Sequence, residues 1–194
     1  MLTEKETKKI LVSTGALLKG HFILSSGLRS PQYLQCAKLL MHPRLSEKIC
    51  KSLAKKIKKK IKNIDLVLSP ALGGIIAGYE VARHLNVPSI FAERVDGVFK
   101  LRRGFSIKKK SKIIIVEDVI TTAKSSFECS KVAKSFNSKI LGFACIVDRS
   151  NGKSSLKNKI ISQVKFNIPT YKENNIPNDL KKIKPVKPGS RNLK

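Results

Sequence analysis

The chain has 194 residues, a length for one domain or at most two, and carries 40 Lys or Arg against 13 Asp or Glu, a net charge of +27. Hydrophobic residues make up 41%, enough for a real core, which excludes a disordered polycation. No run of 18 or more apolar residues exists, and the N-terminus lacks the apolar stretch of a signal peptide, so neither a membrane span nor export is expected. The charge raises nucleic acid, an anionic membrane or a small polyanion as partners. The cations, however, are 32 Lys and only 8 Arg, alongside 21 Ile and 10 Ala. Proteins that read nucleic acid lean on Arg, whose planar fork pairs with phosphate and guanine. A broad bias toward Lys and Ile is the simpler source of the +27. Cys36, Cys50, Cys129 and Cys145 stand far apart, and His21, His42 and His84 are scattered. That spacing argues against a zinc site or a disulfide framework and fits a reducing cytoplasm.

In chain order, Thr3 and Glu6 form a capping box that opens a helix to about Leu18. Gly20 to Tyr33 is polar and turn-rich. Leu45, Ile49, Leu53, Ile57 and Ile61 recur every four residues, the apolar face of an amphipathic helix. A surface helix for membranes is an alternative, but the strand pattern that follows favours packing on a sheet. That strand is 65–69, and after Gly73-Gly74 comes a helix over 75–85. A second strand spans 88–93, and 94–103 reads as a long mobile loop. A third strand spans 112–116, a helix 125–136 and a fourth strand 140–147. The last 25 residues hold several prolines and lysines and read as peripheral. Strands that are continuous apolar runs, alternating with helices, predict a mostly parallel sheet covered on both faces.

In such a sheet ligands bind beyond the carboxyl ends of the strands. The richest strand end is Glu117-Asp118-Val119-Ile120-Thr121-Thr122-Ala123-Lys124-Ser125. The backbone N–H groups of a helix start, with Thr and Ser hydroxyls, cradle a phosphate monoester. Two carboxylates beside that cradle repel the phosphate unless they meet hydroxyls or a metal. Ribose hydroxyls and Mg²⁺ supply both needs, so the local chemistry points to a ribose 5-phosphate.

At these residues the chain resembles a known family. The segment 116–122 is similar to the phosphoribosyl pyrophosphate (PRPP) motif of type I phosphoribosyltransferases. Phe22 to Tyr33 resembles the Ser-Gly-x-x-Ser-Pro segment of orotate phosphoribosyltransferases, and Ser69 to Arg83 their pyrophosphate loop and helix. Glu93 to Phe105 is similar to the catalytic loop of one branch, Val147-Asp148-Arg149 to the strand end that meets orotate, and Lys187 to Arg191 to a tail of that branch. The resemblance implies the type I phosphoribosyltransferase fold, an α/β domain spanning 1–194. Its core covers about 44–150, and a small hood is built from about 1–40 plus a C-terminal segment.

The implied reaction joins orotate to PRPP with Mg²⁺ as cofactor. Glu117, Asp118, Lys100 and Arg94 are the implied catalytic residues. Glu117 and Asp118 hold the ribose, while Thr121, Thr122, Ala123, Lys124 and Ser125 hold the 5-phosphate. Ala71, Gly73, Gly74 and Arg94 meet pyrophosphate. No residue binds the metal directly; it enters on PRPP, with Asp118 reached through water. Ser25, Ser26, Gly27, Tyr33, Thr121 and Arg149 meet orotate, although Arg149 paired to Asp148 and Tyr33 as plain core are the bland alternatives. Lys100, Arg102 and Arg103 belong to the loop that closes. A homodimer with shared active sites is implied, and a nucleic-acid partner is not expected despite the charge. A purine phosphoribosyltransferase and a PRPP-sensing nucleic-acid binder are the competing readings. Three departures from the family pattern stand out. Ala123-Lys124 occupies a turn usually made of Gly, and a positive φ there would cost Ala on the order of 1–2 kcal/mol. Val95 and Val98 replace loop lysines, and no His occurs in the loop, which leaves Lys100 as the candidate acid. Gly73 stands where many members carry Lys.

Overall fold

A computed structural model describes residues 1–24, 26–152, 154, 156 and 160–188. The N-terminal helix α1, Glu4–Ser13, has both halves of its capping box. It stops short of the expected Leu18 because the chain turns through Thr14 and Gly15, the latter at φ +66°. Leu17 then begins strand β1, Leu17–Ile23, which pairs antiparallel with β2, Arg29–Leu34. The segment expected to be turn-rich is therefore a hairpin, with its turn confined to 24–28. Helices α2, Ala37–Leu40, and α3, Pro43–Lys60, follow.

The main sheet contains β3, Leu66–Pro70; β4, Ser89–Val95; β5, Val98–Leu101; β6, Lys112–Ile120; β7, Lys139–Asp148; and β8, Ile160–Lys165. Its order is β5-β4-β3-β6-β7-β8, parallel throughout except for β5 on the edge. β5 lies inside the expected loop. Asp96 and Gly97 both have positive φ, and that turn folds the chain back on β4, the hairpin preference of Asp-Gly. β8 has no counterpart in the elements expected from sequence; its mixed Ile-Ile-Ser-Gln-Val-Lys pattern is that of an edge strand.

Two layers cover the sheet. Leu11 of α1, Ile49, Leu53 and Ile57 of α3, and Ala77 and Val81 of α4, Gly73–Leu85, pack with Ile114 and Val116. Cys129 and Ala133 of α5, Lys124–Ser135, pack on the other face with Ile113, Ile115, Leu68 and Phe143. Alternate residues of β6 thus face opposite layers, as a strand's period of two requires. Beyond β8, the C-terminal segment crosses the β1–β2 hairpin. Arg29 and Tyr171 exchange backbone hydrogen bonds of 2.8 and 2.9 Å, Ile23 N–H donates to Val186, and Val186 N–H donates to His21. The Arg29 guanidinium pairs with Glu173. Among the described residues no helix is long and apolar enough to cross a membrane.

Close packing of α4 on β3 depends on Gly78, because a Cβ there would lie inside contact distance of Ser69 Oγ and 3.0 Å from Ser69 Cβ. Gly78→Ala is expected to lower stability by about 1–3 kcal/mol, with Ser69→Ala in the same chain restoring part of it. Denaturant midpoints check this, and an unchanged midpoint in Gly78→Ala would contradict the packing.

Candidate active site

The carboxyl ends of β3, β4, β6 and β7 lie along one edge of the sheet. On β6 the alternation that sends Ile113 and Ile115 toward α5, and Ile114 and Val116 toward α4, continues into the acids. Glu117 faces α5, where Ser126 Oγ donates to its Oε2. Asp118 faces α4, where a Cβ on Gly73 would stand 2.9 Å from its Oδ1. Two neighbouring carboxylates are thereby pointed at two different helix starts. Gly74 is equally confined, since a Cβ would meet Pro70 Cδ at 3.1 Å and the Val116 carbonyl at 3.2 Å.

Neither α4 nor α5 receives a hydrogen bond from the side chain of its N-cap residue. At α5 the Lys124 N–H reaches Thr122 Oγ1 at 3.5 Å, and at α4 the Ile75 N–H donates to the Leu72 carbonyl at 3.1 Å. At both starts the helix dipole favours an anion. The turn into α5 passes through Ala123 at φ 64° and ψ 15°, the left-handed conformation on which the expected strain depended. The strain falls on Ala123 alone, because Lys124 is already helical. The Ala123 methyl is buried against the α5 layer, an apolar contact that glycine would lack. Thr121, Thr122 and Lys124 are exposed around the turn, and Ser125 is half-buried. Ala71 and Leu72 lie between β3 and α4 and are joined by a cis peptide bond.

Burial raises both acids. Glu117 is pushed up to about 7, with the neighbouring Asp118 adding to the rise and Ser126 opposing it. Asp118 is raised by burial, against hydrogen bonds from its own N–H and that of Val119. Both carboxylates gain when a ligand hydroxyl or cation replaces the water they have lost.

Arg149 follows β7 directly, and its N–H donates to the Ile120 carbonyl at 2.8 Å, tying it to the end of β6. It does not spend itself on Asp148, whose Oδ1 accepts the Ser150 N–H at 2.9 Å. Burial lowers the Arg149 guanidinium, and Tyr33 is close enough to oppose that shift. Tyr33 on β2 is half-buried, with its ring 5.8 Å from that of Phe22. Ser26 and Gly27 form the exposed tip of the same hairpin. Ser25, and Gly189 to Arg191 of the tail, lie outside the described residues.

Of the cations expected in a mobile loop, Arg94 and Arg103 are held in side-chain contacts. Arg94 pairs with Glu128 of α5, donates to the Gly97 carbonyl and stacks 4.2 Å from the Phe99 ring. Arg103 pairs with Glu93 at 2.8 Å. Lys100 lies in β5 opposite Glu93, and only Arg102 and Arg103 fall in the irregular segment that follows. The sequence alone assigns no role to Ser126 or Glu128. Ser126 carries a usable signal, a hydroxyl on the face of α5 otherwise buried through Cys129 and Ala133.

The layers, the strand-end acids and the two helix starts beside them fit a phosphoribosyltransferase. Residues 38–177 match the family described as phosphoribosyl transferase domain. Over 193 residues the chain is 44% identical to an orotate phosphoribosyltransferase of Parvibaculum lavamentivorans, covering 99% of this chain and 100% of that one. It is 47% identical over 193 residues to one of Methylorubrum extorquens, covering 99% and 98%. The orotate phosphoribosyltransferase structure from Aeropyrum pernix superposes with a TM-score of 0.71 at 25% identity, covering 81% of this chain and 92% of that one. The adenine phosphoribosyltransferase of Thermoanaerobacter pseudethanolicus shares the fold, with a TM-score of 0.61 at 16% identity over 70% of this chain and 88% of that one. The chain belongs to the orotate phosphoribosyltransferase family.

Because the folded chain holds a proton on Glu117 that the unfolded chain releases between pH 4.5 and about 7, this residue's contribution to stability is complete below about 4.5. It is lost as pH rises through about 7. Glu117→Gln cannot ionise, so its melting temperature relative to the parent should rise steadily across that window. Parallel melting curves would contradict the burial of this carboxyl.

Proposed function

We propose that the chain catalyses transfer of the 5-phosphoribosyl group from PRPP to orotate. The products are orotidine 5′-monophosphate and pyrophosphate, in the de novo pathway to the pyrimidine nucleotide UMP. The observation that carries the reading is the pair of desolvated acids, Glu117 and Asp118, set between the starts of α4 and α5. One helix start takes the 5-phosphate, with Thr121, Thr122, Ala123, Lys124 and Ser125 around it. The other takes pyrophosphate, with Ala71, Gly73 and Gly74 allowing close backbone approach. The acids accept the ribose hydroxyls, and their charge stabilises the ring as it becomes oxocarbenium-like.

Mg²⁺, when it enters with PRPP, would supply charge neutralisation at the pyrophosphate oxygens. One carboxylate beside substrate oxygens is the donor set this cation uses, and Asp118 at the Gly73 cradle fits it, through water. Arg149 pairs with the orotate carboxylate or a ring carbonyl, Tyr33 stacks on the base, and Ser25, Ser26, Gly27 and Thr121 line the pocket. Arg94, Lys100, Arg102 and Arg103 close over the leaving group and exclude water, with Lys100 the candidate acid.

A homodimer with shared active sites completes the reading. Leu72, Ile76 and Tyr79 lie exposed along the start of α4, beside the pyrophosphate loop. They sit in residues 63–99, a stretch without Lys in a chain that has 32. Elsewhere the cationic surface repels its own copy. The four buried, unpaired cysteines suit the cytoplasm.

With PRPP and Mg²⁺, loss of orotate absorbance is expected, and no turnover with adenine. Arg149→Ala should lower kcat/KM for orotate by roughly 30-fold to several thousand-fold, the loss of about 2–5 kcal/mol that follows removal of one buried charge partner. Turnover of adenine but not orotate, or a wild-type rate in Arg149→Ala, would overturn the base assignment.

A further inference from the structure

Ser126 is fully buried on the inward face of α5. A hydroxyl costs free energy at such a position unless it is hydrogen-bonded. Ser126 Oγ crosses from α5 to β6 and donates to Glu117 Oε2. A glutamate side chain has several rotors, and a carboxylate with one oxygen held has fewer directions in which to offer the other. The thiols of Cys129 on α5 and Cys145 on β7 flank this carboxylate, and burial pushes both up, so they stay neutral beside it. Neither supplies the positive partner that would otherwise fix a buried acid. Ser126 also stands one helical turn from Ala123, where α5 begins. A single helix therefore presents its N–H groups at one end and grips the β6 acid a turn later.

We propose that Ser126 is a positioning residue: it aims the Glu117 carboxylate at the ribose hydroxyls of the phosphoribosyl donor and couples that aim to the helix that takes the 5-phosphate. The proposal rests on the phosphoribosyl-donor reading of the site and is independent of which base is used. Ribose 5-phosphate reaches both the phosphate turn and the acids. Inorganic phosphate reaches the helix starts but makes no ribose-hydroxyl contact with the acids. The two probes therefore separate loss of aim from loosening of α5.

Calorimetric titration of the full chain with each probe tests this. Ser126→Ala is expected to bind ribose 5-phosphate about tenfold more weakly, the scale of one lost hydrogen bond to a charged group, and to bind inorganic phosphate as the parent does. Ser126→Cys, of similar size with a weak donor, should fall between the two and carries the test if the alanine variant does not fold. In turnover, KM for PRPP should rise while KM for orotate stays unchanged. Equal weakening of both probes would reduce Ser126 to helix packing and overturn the proposal, as would no weakening of either. Absence of wild-type turnover with orotate would instead strike the base assignment, which these binding measurements do not use.

Discussion

The period of two along β6 governs the rest of the molecule. Ile113 and Ile115 on one side, and Ile114 and Val116 on the other, are all fully buried, so the strand cannot slip by one residue without sending each side chain to the wrong layer. That register delivers Glu117 to α5 and Asp118 to α4. A one-residue slip would reverse them and bring the longer Glu117 to the Gly73 cradle, where a Cβ would already crowd Asp118. The glycine cradle and the serine grip depend on that alternation holding through Asp118; beyond it Val119 packs with the α4 layer and Ile120 with the α5 layer, so the period ends with the acids.

Around this fixed edge the remaining parts are held by exchangeable contacts. The β1–β2 hairpin, which carries Tyr33 and the Ser26-Gly27 tip, is tied down by backbone hydrogen bonds from the C-terminal segment. The β4–β5 hairpin holds Arg94 and Arg103 through exposed ion pairs, which are weak in water. An incoming polyanion competes for those guanidinium groups on favourable terms. The wider +27 has a different standing. Most of it lies on exposed faces such as Lys55, Lys58, Lys59 and Lys60 of α3, where it raises the encounter rate with anionic substrates without touching them.

Much of this was legible in the sequence because it rests on local pattern. The apolar runs gave the central strands, the four-residue repeat gave α3, and the acids followed by hydroxyls marked the phosphate turn. The positive φ at Ala123 followed from the glycine that the family usually carries there. What stayed hidden depends on distant partners. β5 is strand because Glu93 and Lys100 meet across an Asp-Gly turn whose hairpin signal was outweighed by polar, loop-like residues. β8 is strand because Phe143 to Asp148 offer it an edge. The β1–β2 hairpin is tied down by residues 171 and 186, more than 130 positions away in sequence. Ser126 looked like one more polar helix residue until the layer it faces was known.

On the proposed reading one turn, between β6 and α5, receives a ribose phosphate with its phosphate at the start of α5 and its hydroxyls on Glu117 and Asp118. A crystal structure of the chain soaked with ribose 5-phosphate tests it most directly. The phosphate is expected at Thr121 to Ser125, with both hydroxyls within hydrogen-bond distance of the two carboxylates. A sugar phosphate bound elsewhere, or with its hydroxyls turned away from those acids, would contradict it.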